Sequence, residues 1–124
     1  MWRVGDEIVV QSYLPGGETS YRLLVVGKKV VAAARLDAAD GDWRSNASRG
    51  GMPRAYTPQR DEADLAVGAA KALGLGQCGV DLLMSSSGPI VLEVNPTPGF
   101  LRLEEATGID VARAMVEHAI KAVR

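Results

Sequence analysis

The chain is poor in the side chains that most often announce chemistry: one cysteine, one histidine and one phenylalanine in 124 residues. A lone Cys78 excludes an internal disulfide and fits a reducing compartment. Its expected role is that of a small buried residue at the start of a strand. His118 has no acid or thiol partner in its neighbourhood of the sequence and reads as a surface histidine. Neither sign of charge is in surplus, the formal net charge being -1, so composition gives no electrostatic case for nucleic acid or a membrane surface. No apolar run approaches membrane-spanning length, and residues 1–6 carry no apolar signal segment. The expected location is cytoplasmic. With 47% hydrophobic and only 5% aromatic residues, the core must be built from aliphatic side chains. The length suits one domain over 1–124.

What is present centres on residues 78–99, CGVDLLMSSSGPIVLEVNPTPG. Two short apolar runs, 79–84 and 89–94, flank the polar turn Ser85-Ser86-Ser87-Gly88 and predict a hairpin. Setting Met84 against Pro89 places Asp81 opposite or diagonal to Glu93. Asn95 shares the face of Glu93, because strand side chains alternate. Val80, Leu82, Leu92 and Val94 are expected on the other face. Two carboxylates set against each other repel unless a cation intervenes. Two carboxylates and an amide carbonyl suit a hard divalent metal. The alternative for such a pair is an exposed hairpin with solvated acids.

Residues 7–14 predict a strand ended by Pro15-Gly16-Gly17. Residues 21–26 and 29–36 predict a second hairpin about Gly27-Lys28, a type II′ turn. Pairing Val26 with Lys29 sets Arg22 against Ala33 and Arg35 against Ser20, so both arginines project from one face. That face is either a solvated surface or a floor for phosphate. Residues 37–56 show no period. The loop mixes Arg44, Asn46, Ser48, Arg49, Gly50 and Gly51, groups fit to grip phosphate and carboxylate oxygens, or else a flexible surface loop. Thr57 and Pro58 predict the start of a helix stopped by Gly74 or Gly76. Residues 103–107 predict a helical turn. Asp110 caps a last helix with Ala112, Met115, Val116, Ala119, Ile120 and Val123 on one stripe. The sum is an α+β layer: a mostly antiparallel sheet with helices covering one face.

Taken together, YRLLVVGKKVVAAARL, GDWRSNASRGG, AAKALGLGQCGVDLL and GPIVLEVNPTPG followed by GID resemble the ATP-grasp superfamily, and most of all its RimK-type branch. These are ATP-dependent ligases that join glutamate or a related amino acid to a carboxylate. The likeness runs from about residue 7 to residue 121. E-V-N alone is weak; with the upstream G-V-D and the R-S-N…R-G-G loop it is specific.

The resemblance implies magnesium ligands at Asp81, Glu93 and Asn95, manganese being accepted by the same oxygens. It implies that Arg22, Arg44 and Asn46 line the site of phosphate transfer, with Arg49 and Gly50 close to the acceptor. Gln11, Tyr13 and Leu14 would border the adenine of ATP, and Arg35 is placed with the nucleotide. ATP would phosphorylate a substrate carboxylate, and an amine would attack the acyl phosphate, with no protein nucleophile. Two departures stand out: Ser20 two residues before Arg22, and Ser12 after Gln11, where the branch generally carries acids. The chain corresponds to the C-terminal ATP-grasp subdomain alone, the first subdomain and the N-terminal substrate domain being absent. Its partners are then ATP, carboxylate and amino-acid substrates, and the missing half of the enzyme. The alternative is a non-catalytic interaction module from the same fold, self-associating through Trp2, Val9, Tyr13 and Leu14.

Overall fold

The computed structural model describes residues 10–16, 18–38 and 52–123. Five strands form one antiparallel sheet in the order β3-β2-β1-β4-β5. They are β1 (Thr19–Val26), β2 (Lys29–Asp37), β3 (Arg54–Ala55), β4 (Gln77–Ser85) and β5 (Gly88–Asn95). Helix α1 (Arg60–Ala72) separates the two hairpins, and α2 (Leu101–Thr107) and α3 (Val111–Ala122) follow the second.

The helices cover both faces of the sheet rather than one. On the first face Leu23, Val25, Ala33, Cys78, Val80 and Leu82 pack with Ala66 and Ala70 of α1. On the second, Leu24, Val26, Ala32 and Ala34 pack with Leu103 of α2 and Val111 of α3. The reason is visible in β1, where Leu23 to Val26 are buried without alternation. A strand apolar on both sides needs cover on both sides.

The β1–β2 turn has the expected form, with Gly27 at φ 65° and Lys28 at negative φ. Val26 pairs with Lys29 as expected, but Val25 pairs with Val30 and Leu24 with Ala32, leaving Val31 as an extra residue on β2. This bulge moves every later pair by one. Arg22 faces Ala34, and Arg35 faces Tyr21. A one-residue slip exchanges faces. Arg22 and Arg35 therefore project from opposite faces, contrary to the sequence expectation.

Other boundaries also shift. Residues 10–14, within the expected first strand, pair with no described strand, and Val10 and Tyr13 are exposed. Alternation permits a strand, but a ladder requires a free edge to join. The end of the expected loop supplies β3, Arg54–Ala55, which pairs with Ala34 and Arg35.

Helix α1 starts at Arg60 with Gln59 as its cap, not Thr57. The buried Glu62 carboxylate accepts from the Gln59 N–H at 2.9 Å and fixes the start three residues before itself. Tyr56 Oη donates to the same carboxylate at 2.8 Å, and its ring lies 4.6 Å from that of Tyr21. The α1 stop at Gly74 (φ 67°) is as expected.

Asp110 caps α3 by accepting from Arg113 N at 2.8 Å. The buried side of α3 carries Val111 and Met115. Val116, Ile120 and Val123, predicted to share the buried stripe with Met115, are exposed. His118 is half-buried rather than a free surface side chain. A Cβ on Gly27 would lie 3.1 Å from His118 Nδ1, and one on Gly76 3.1 Å from Nε2. The imidazole thus fills the space that two glycine-containing turns leave open, where Gly27 N donates to Gly76 O at 2.7 Å.

Candidate active site

The second hairpin begins as the sequence predicts, with Met84 opposite Pro89 and Ser85 opposite Gly88. Ser85 stabilises the turn, its hydroxyl donating to Gly88 O at 2.8 Å and accepting from Ser87 N at 3.1 Å. An unbroken ladder would then set Asp81 against Leu92. Instead Leu82 pairs with Val91 and Asp81 with Glu93, so Leu92 is an extra residue on β5. The bulge ejects Leu92, which is exposed and not on the core face expected of it, and Val91 packs there instead. The same bulge sets Glu93 directly across from Asp81. β5 is the edge of the sheet, where bulges are most easily accommodated.

Arg22 completes the row. Across the β1–β4 ladder it stands opposite Asp81, so Arg22, Asp81 and Glu93 lie side by side on three adjacent strands and on one face. The guanidinium grips Asp81 in a fork: Nε donates to Oδ1 at 2.8 Å and Nη2 to Oδ2 at 2.7 Å. The two side chains are only 26% and 17% exposed, so water screens this pair less than a surface one. The hydrogen bonds to Asp81 push the Arg22 pKa up, burial opposes them, and the charges of Asp81 and Glu93 add to the rise. The Glu93 carboxylate makes no hydrogen bond to another described residue.

Asn95 stands opposite Gly79, next along the same face from Glu93. Its Oδ1 accepts from Thr97 N at 2.9 Å, an Asx turn that orients the carboxamide and bends the chain away. The bend brings Pro98 back over the sheet, where it is buried. A Cβ on Gly79 would lie 3.0 Å from Pro98 Cβ. The glycine two residues before Asp81 is thus what admits the N-P-T-P-G turn. Gly79 and Pro98 went unassigned in the sequence; their close approach is a contact between distant residues with no local signal.

Two carboxylates and an amide oxygen, without sulfur or imidazole, form a donor set suited to a hard dication. Among the described residues no three of His, Cys, Asp and Glu gather, so the third donor has to be the carboxamide. One lone pair of Asn95 Oδ1 is taken by Thr97, and a carbonyl oxygen has two. The residues fit such an ion, with the Arg22 fork as competitor for Asp81.

A recess of about 320 Å³ adjoins this row, lined by Arg22, Ala34, Leu36, Pro53 and residues 99–103. Phe100 and Arg102, which nothing in the sequence singled out, face it. Arg35 lies on the opposite face, where its Nε donates to Asp37 Oδ1 at 2.9 Å. Gln11 and Tyr13 are exposed and Leu14 is half-buried. Arg44, Asn46, Arg49 and Gly50, with Trp2 and Val9, lie outside the described residues.

Known proteins resemble this chain in sequence and in fold. The sequence matches the RimK-like ATP-grasp domain over residues 3–119. It is 48% identical over 111 residues to a probable alpha-L-glutamate ligase of Shewanella loihica, covering 89% of this chain and 37% of that one. A probable alpha-L-glutamate ligase of Stenotrophomonas maltophilia is 51% identical over 100 residues, 81% of this chain and 34% of the other. Among solved structures, the ATP-grasp ligase PsnB, complexed with a precursor variant, Mg and ADP, superposes with a TM-score of 0.70. It is 24% identical and covers 90% of this chain and 34% of that one. The macrocyclase MdnB of Microcystis aeruginosa gives 0.66 at 18% identity, over 87% and 39%. At such identities the likeness is one of fold. The chain spans under two fifths of the length of either glutamate ligase, 37% and 34%. By its sequence match from residue 3 to residue 119, the chain belongs to the RimK-like ATP-grasp family.

Proposed function

We propose that this chain is the metal- and phosphate-holding part of an ATP-dependent carboxylate–amine ligase. The supporting observation is the row Arg22–Asp81–Glu93, with Asn95 beside it, on one face of three adjacent strands. Asp81, Glu93 and Asn95 would hold magnesium, or manganese in its place. When bound, the metal neutralises charge on the phosphate oxygens of ATP. Arg22 presents a planar fork that suits a phosphoryl group as well as it suits a carboxylate. Arg44 and Asn46 would join it at the phosphoryl group. The apolar recess beside Arg22 would exclude water from the acceptor carboxylate, with Arg102, Arg49 and Gly50 toward the acceptor. Gln11, Tyr13 and Leu14 would border the adenine; Arg35, on the other face, is left out.

In this reaction the terminal phosphoryl group of ATP passes to the carboxylate, an amine attacks the acyl phosphate, and phosphate leaves as the amide forms. The named relatives make glutamate the amine we propose. The parts of the relatives that this chain does not span would complete the nucleotide clamp, in a cytoplasmic enzyme. Calorimetric titration of the chain with magnesium and a non-hydrolysable ATP analogue tests the reading. The expected result is metal-dependent binding, about millimolar for three oxygen ligands, lost in Asp81→Ala and in Glu93→Ala. Equal heats with and without metal would sink it.

A further inference from the structure

The Arg22 fork engages the same carboxylate that the metal requires. It takes one lone pair from each Asp81 oxygen, at 2.8 and 2.7 Å, and it lies in the field of Glu93 as well. A guanidinium so placed offsets one of the two negative charges, part of the task otherwise left to a dication. A dication entering beside it meets a fixed like charge and a carboxylate already engaged at both oxygens. A phosphate group changes this balance. It offers the guanidinium a bidentate partner of the same geometry and greater charge, and it releases Asp81. The recess that Arg22 borders gives the side chain room to turn.

We infer that Arg22 keeps the cation's place beside Asp81 until a phosphate-bearing ligand arrives, so that metal and phosphate are taken up together and metal alone is disfavoured. This rests on the metal and phosphate reading above. It assigns Arg22 a positioning role toward metal, separate from its contact with phosphate.

The test is Mn2+ binding to the purified chain, read from the electron paramagnetic resonance signal of free Mn2+, with each variant's fold verified by circular dichroism. Without nucleotide, Arg22→Gln should bind Mn2+ about tenfold more tightly than the wild type, one nearby like charge being removed. With a non-hydrolysable ATP analogue present the order should reverse, the variant binding the metal–nucleotide complex more weakly. Arg22→Lys keeps the charge without the fork and should fall between the two; it serves also if Arg22→Gln fails to fold. Equal or weaker Mn2+ binding in both variants without nucleotide overturns the inference while leaving the metal site standing, provided Glu93→Gln abolishes binding. If Glu93→Gln changes nothing, the metal lies elsewhere and both readings fall.

Discussion

Tyr56 and Glu62 show how one pair of side chains fixes the entry to α1. Glu62 is 5% exposed, and its carboxylate is stabilised by the Tyr56 hydroxyl and by the Gln59 N–H. Tyr56→Phe removes one of these donors and leaves a buried carboxylate short of a partner. The expected cost is roughly 1–3 kcal/mol, read from the midpoint of urea unfolding. The pH dependence has a definite sign. Burial first, and then the hydrogen bond to Glu62, raise the Tyr56 pKa. Its contribution is therefore complete below the unfolded tyrosine value of about 10 and is lost as pH rises further. Wild-type stability should fall above pH ~10, and Tyr56→Phe should lose that part of the fall. An unchanged alkaline profile in the variant would contradict this account of the pair.

At the scale of elements, two bulges decide which side chains meet. Both hairpins start where their turn residues predict, because a turn is a local matter of glycine and serine. Neither bulge has a local signal: Val31 sits in an unbroken apolar run, and so does Leu92. The sequence therefore discloses the two hairpins and brings Asp81 opposite or diagonal to Glu93. It misplaces Arg35, which a single extra residue moves to the other face, and it misplaces Leu92. The long loop stays legible only in composition, since no periodicity tells where its side chains lie. The β5 bulge gives a sharp prediction. Deleting Leu92 removes the extra residue and leaves a continuous ladder in which Val91 still faces Leu82 and Glu93 still faces Asp81. Metal binding should be retained, and the circular dichroism spectrum should keep its strand content. Loss of binding in a folded deletion variant would show that the Asp81–Glu93 pairing alone does not make the site.

At the scale of the whole molecule, the sheet divides its labour by face. The face against α1 is aliphatic core. The opposite face is core where α2 and α3 cover it and polar at the row from Arg22 to Glu93. A rigid, doubly covered strand such as β1 is well suited to hold Arg22 in register against Asp81, since sites on scaffold strands are placed more accurately than sites on loops. None of the described helices is long and apolar enough to cross a membrane. The central claim is that Asp81, Glu93 and Asn95 form the metal site of this family member. Paramagnetic broadening tests it most directly: Mn2+ is added in small steps to the isotopically labelled chain while amide resonances are followed. The account predicts that the amides of Asp81, Glu93, Asn95 and their neighbour Arg22 fade first, and that Glu93→Gln restores them. Broadening centred on other acids, such as Glu104 and Glu105 of α2, with the hairpin untouched, would contradict it.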